Sequence, residues 1–204
     1  TTAEYVDRIS KGDIPSKITE DYKGDFNEIK NNMNNCIDGL GGLIEANGVL
    51  QRMAVNDHTI KVEGNYVGIF KEVARAVNDV RERVRHITET ANNVALGDIG
   101  ELDVYKQIGR RSENDALVPS FVKMMEAVKF MRDDATMLAM AAVEGKLATR
   151  ADASKHQGDF RKIIQGVNDT LDAVIAPLNV AAEYVDRISK GKIDELIIDR
   201  KSVV

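Results

Sequence analysis

The chain is predicted to be all-α, and three observations predict it. Apolar residues recur at steps of three and four over long stretches. Charged residues make up 30% of the 204 positions and aromatics only 5%, with no Trp, which suits helical bundles and supplies few bulky anchors for a sheet core. A cassette of helix, polar connector and helix recurs along the chain.

The most regular helix is predicted over 159–191. Phe160, Ile163, Val167, Thr170, Val174, Pro177, Ala181, Tyr184 and Ile188 form an a/d seam with a period of about 3.5. Ile164, Leu171, Leu178 and Val185 lie beside it and widen the stripe. So wide a stripe belongs in a bundle rather than a two-stranded coiled coil.

The repeat fixes the frame. Residues 3–12 and 182–191 both read AEYVDRISKG. Weaker copies of this helix end near Asn56, Gly97 and Gly145, so the end markers Gly12, Asn56, Gly97, Gly145 and Gly191 are spaced 44, 41, 48 and 46 residues apart. Glycine just past a helix end is a C-cap, and asparagine is the next best residue for that left-handed geometry.

The second helices repeat as well. Phe26, Ile29 and Met33 correspond to Phe70, Val73 and Val77, to Phe121, Met124 and Val128, and to Phe160, Ile163 and Val167. Asn34, Asn78 and Asn168 follow at one offset, where the third copy has Lys129, and Leu171 continues the fourth copy where the second has Arg81. Pro119 is tolerable only at a helix start. The three asparagines admit two readings: surface positions, or bonds to a connector backbone that fix register.

Each pair of helices is expected to be joined by a connector of about a dozen residues, as at 13–24. Apolar residues interrupt it at Ile14 and Ile18, with counterparts at His58 and Val62, Ile99, Leu147 and Ala151, and Ile193 and Ile197. Fixed apolar offsets imply that the connector docks on the helices. Twelve extended residues reach about 40 Å, whereas a 16-residue helix spans about 24 Å. The connector can therefore run back along its helix and leave the two helices parallel.

These residues resemble the HAMP domain, a cytoplasmic relay module of bacterial chemoreceptors and sensor kinases. The resemblance rests on Pro177-Leu178 opening a helix that ends at Ile188-Ser-Lys-Gly191, on the two apolar connector positions, and on Asp25 or Asp159 ahead of the first core residue with Asn34, Asn78 or Asn168 beyond it. Units two and three depart from it, with Ile69 and Ser120 at the acidic position. It implies five tandem units, at 1–43, 44–86, 87–132, 133–175 and 176–204, the first and last truncated. It further implies a rod of parallel four-helix bundles formed by homodimerisation, with Asp25, Asp159, the three asparagines and Pro177 as register or switch positions. The function implied is signal relay between flanking sensor and output domains of a methyl-accepting chemotaxis protein in the cytoplasm. A hybrid histidine kinase linker and a passive dimeric spacer are the alternatives.

The second helix of each unit is expected to continue into the first helix of the next. Phe26, Ile29, Met33, Cys36, Leu40, Leu43, Asn47 and Leu50 keep one heptad across the first boundary. Gly39, Gly41, Gly42 and Gly48 would weaken that helix by roughly 1 kcal/mol each, making it the softest junction, and Pro177 would strain the last one.

No catalytic, cofactor or metal constellation is read. His58, His86 and His156 lack ligand spacing, and GLGGL at 39–43 sits within a heptad rather than after a strand. Cys36, the sole cysteine, is expected to be a small core residue, and Met124, Met125, Met131, Met137 and Met140 to be bundle filling. Asp133-Asp134 and Glu82 with its arginine neighbours read as a solvated face. The net charge of −5 gives no electrostatic footprint for nucleic acid, and no apolar run is long enough to span a membrane.

Overall fold

The computed structural model describes residues 2–191, so Ile193 and Ile197 lie outside the described residues. The described residues form six α-helices and no strand: α1 (Thr2–Ser10), α2 (Asp25–Met53), α3 (Gly68–Ala95), α4 (Leu102–Ile108), α5 (Leu117–Val143) and α6 (Gly158–Ser189), with a 3-10 turn at Ala153–Lys155. They fall into two compact bodies that divide between Asn93 and Val94.

In the first body, the helix exits follow from hydrogen-bond geometry. Gly12 (φ 81°) and Asn56 (φ 62°) take the left-handed conformation. There the amides of Gly12 and Asp13 bond Ile9 and Arg8, and those of Asn56 and Asp57 bond Met53 and Arg52, which satisfies carbonyls that the ending helix would leave bare. The same Arg and Asp side chains then pair across the cap, Arg8 with Asp13 at 2.7 Å and Arg52 with Asp57. Glycines with positive φ also stand where the chain enters α2 and α3, at Gly24 and Gly68.

Between these punctuation marks the connector runs backwards along both helices. Its contacts on α2 fall from Arg52 (with Asp57) to Glu45 (with Glu63 and Gly64) as connector numbers rise. Its contacts on α3 fall from Arg81 (with Thr59) to Asn78 (with Val62). A strand antiparallel to both helices makes α2 and α3 parallel to each other. Ala46 and Val49 of α2, Val62 of the connector and Ala74 and Val77 of α3 form the buried core they share.

Two of the four α2 glycines contradict the expectation of simple softness. A Cβ on Gly39 would stand 2.2 Å from the Phe70 ring, and one on Gly42 would stand 2.9 Å from the Tyr66 ring. Glycine at these positions lets an aromatic ring lie on the helix backbone. Only Gly41 and Gly48 face open space.

In the second body, the third connector departs from the expected dozen residues. The chain takes 24 residues from Gly97 to Phe121, and part of that length folds as α4. Leu102 and Tyr105 of α4 and Val118 and Met125 of α5 are buried together, with Ile99 packed against them, and the Tyr105 ring stacks on Phe121 at 5.6 Å. Asp115 accepts the amides of Leu117 and Val118 and so caps α5, with Pro119 in its first turn. The fourth connector returns to the pattern of the second. It contacts α6 at Asp172 through Arg150 and at Asn168 through Ala151, and α5 at Asp134 through His156, so α5 and α6 are again parallel. Leu138, Ala151 and Ile164 form their core. α6 passes through Pro177 without a break.

Apart from Val77, the seam read from sequence is not the row that a single chain buries. Ile164 is 2% exposed where Ile163 is 50%, and Met125 is fully buried where Met124 is 38% exposed. Phe26 is 71% exposed, while Ile29, Val167 and Ile188 are also open. Phe70, Val73, Met33, Phe121, Val128, Phe160 and Leu171 are half-buried, and Val77 is buried. The reason is that each helix carries two apolar rows, and the chain's own connector and partner helix cover only one of them. Cys36 stands on the open row and is exposed.

Candidate functional site

The feature common to three units is a backbone clamp. A connector running between two helices pairs with neither by regular ladder bonds, so its buried amides need side-chain partners. Asn34 supplies them to Ile18, accepting its N–H at 2.8 Å and donating to its C=O at 2.9 Å. Asn78 does the same for Val62, at 2.9 and 2.9 Å, and Asn168 for Ala151, at 3.1 and 2.8 Å. A carboxamide carries a donor and an acceptor on one plane and can mimic a backbone rung; few other side chains can. The reading in which the asparagines bond the connector is therefore the observed one. Lys129, at the same place in the third unit, instead pairs with Asp133 at 2.5 Å.

Apolar side chains press the clamped residues inward. Val62 and Ala151 are buried, and Ile14, Ile18, His58 and Ile99 are half-buried. Leu147 departs from expectation at 40% exposed. A basic residue just before the clamped position adds an ion pair to an acid one turn after the asparagine: Lys17 to Asp38 and Arg150 to Asp172, both at 2.6 Å. Exposed pairs of this kind add only tenths of a kcal/mol, roughly up to 1, so the asparagine dominates.

A second set of contacts ties the connector to the first helix of its unit, and sequence reading missed it. In the first body the Glu45 carboxylate accepts from the amides of Glu63 (2.7 Å) and Gly64 (3.2 Å) and from the Tyr66 hydroxyl (2.6 Å). These donors, led by the Glu63 amide, hold the Glu45 carboxyl below its ordinary range, and the carboxylate in turn pushes the Tyr66 phenol up. In the second body His156 Nε2 lies 2.6 Å from Asp134 Oδ2, with the imidazole almost wholly buried. Asp134 is thus part of a contact, not of a freely solvated face.

The other positions singled out from sequence are placed as follows. Gly97, Gly145 and Gly191 have φ of 86°, 75° and 75° at their helix ends. Asp25 and Asp159 stand in the first turns of α2 and α6, where a negative charge is favourable. Arg81, in the row filled by Ile37 and Leu171 elsewhere, reaches the Thr59 carbonyl at 3.3 Å, and its Nε is buried without an acceptor. Among the described residues, no group of three or more His, Cys, Asp or Glu is arranged to hold a metal. No described helix is long and apolar enough to cross a membrane.

Residues 1–42 and 155–201 match the family model of the HAMP domain. Those two segments carry the HAMP signature. The first match holds the Asn34 clamp and the second contains Asn168, and the Asn78 clamp between them repeats the same geometry. HAMP domains are signal-transduction linkers without catalytic chemistry of their own, and the helical, strap-connected fold of the described residues is consistent with a HAMP array. No solved structure matches the chain.

Proposed function

We propose that the chain is the relay segment of a dimeric bacterial chemoreceptor, with HAMP units at 1–43, 44–86, 87–132, 133–175 and 176–204. In this reading it lies in the cytoplasm between a sensor and an output domain. The observation that carries it is the open apolar row: Phe26, Ile29, Val167, Val174 and Ile188 lie exposed on helices whose other row is already covered. A surface of this kind is matched by a two-fold copy of itself, which closes each parallel pair into a four-helix bundle.

Relay, rather than spacing, is favoured by how the units are joined. α2 and α6 run through the predicted unit boundaries at 43 and 175, so a displacement of one unit's second helix is a displacement of the next unit's first helix. Packed bundles have discrete arrangements, and a shared helix lets one bundle bias the next. Cross-subunit disulfides introduced at Ile29 and, separately, at Ile163 in the parent protein test this. The relay predicts that each lock fixes or inverts output; a passive spacer predicts output indifferent to both.

A further inference from the structure

We infer that the second and fourth units share one latch that fastens the connector to the first helix, and that it works opposite the asparagine clamp. Glu45 and Asp134 each stand eleven residues before their unit's cap residue, Asn56 and Gly145. Tyr66 and His156 each stand two residues before the glycine that opens the second helix, Gly68 and Gly158. The two acid-to-ring contacts are both 2.6 Å. They are therefore the same contact made with different chemistry, although nothing in the residue types alone makes phenol and imidazole look alike.

The geometry gives the pair a purpose. The clamp holds the connector to the second helix at Val62 or Ala151. The latch holds it to the first helix a few residues further on. With both closed, the connector is a strap bound to each helix, and the first helix cannot slide without stretching a bond that already sits at hydrogen-bond distance. With the latch open, the connector is tied to the first helix only at the cap, as by Arg52 and Asp57 in unit two, and by apolar packing.

The two latches differ in what the ring contributes. Glu45 keeps two backbone donors if the phenol is lost. In unit four the buried imidazole is the ring side of the contact with Asp134, so loosening the ring there should open more. Elsewhere the latch is incomplete. Tyr22 of unit one, in the ring position, is exposed, and unit three has His86, not an acid, in the helix position. The use of the latch in signalling rests on the relay reading, but its existence does not.

Amide hydrogen exchange on the 204-residue chain tests it. His156→Phe should speed exchange of the fourth connector at least about tenfold, the scale of one lost charge-assisted hydrogen bond, with the helices retained by circular dichroism. Asp134→Asn should speed exchange of the same amides, and Asp134→Asn combined with His156→Phe should do no more than the larger single change, because both remove one contact. In unit two, Glu45→Gln and Tyr66→Phe should affect Glu63 and Gly64 non-additively. Simple additivity of the paired changes in either unit, with the chain folded, overturns the latch. Receptor output does not enter this measurement, so its failure leaves the relay standing, and failure of the disulfide locks leaves the latch standing.

Discussion

At the residue scale, the unit depends on a few polar side chains that satisfy an extended connector. Asn168 is buried and makes both of its bonds to Ala151. Asn168→Ala would leave a buried N–H and C=O without partners, a loss of about 1–3 kcal/mol, measurable by thermal unfolding; Asn168→Asp keeps the acceptor but not the donor and should recover only part. The Glu45 contact predicts a pH dependence. Its folded pKa is lowered, so its contribution is fully present above the ordinary glutamate value of 4.5 and fades as pH falls through the lower folded value. Acid titration of the intact chain should lose protection at the Glu63 and Gly64 amides in that window, and Glu45→Gln should remove the dependence.

The asparagines were legible as a fixed offset in the second helix, because a repeated polar residue beside a seam needs a reason. Their partners were half legible, since connector residues Ile18, Val62 and Ala151 recur at a fixed offset from the cap. The pairing of Glu45 with Tyr66 was not, because one sequence gives no sign of which residues 21 apart meet. It is visible only in the folded chain, where the connector lays Tyr66 beside Glu45.

At the element scale, glycine has two roles that composition cannot separate. Gly39→Ala would drive a methyl into the Phe70 ring and should destabilise the first body. Gly48→Ala meets nothing and should stabilise α2 by up to about 1 kcal/mol through helix propensity. Denaturant unfolding of the two variants distinguishes close approach from softness, and a gain at Gly39 would contradict the packing described. The third connector departs from the expected dozen residues because Leu102 and Tyr105, at helical spacing within LDVYKQI, bury one face of α4 against α5. The 24-residue span from Gly97 to Phe121 was the available signal. Where two apolar rows run side by side, as with Ile163 and Ile164, periodicity finds the stripe but not which row the chain covers by itself.

At the scale of the whole molecule, the central claim is that the open row of each helix is closed by a second copy in parallel register. Each row repeats the period of the buried one, so a copy of the same surface is its natural complement. The most direct measurement is pulsed electron resonance on the Cys36→Ser chain labelled singly at Asn32→Cys and at Arg161→Cys, both exposed positions. Packed helices lie about 8–10 Å apart, so a parallel dimer predicts label-to-label distances within about 40 Å at both sites. Absence of coupling at both sites, or coupling only when the two labelled chains are mixed, would contradict it.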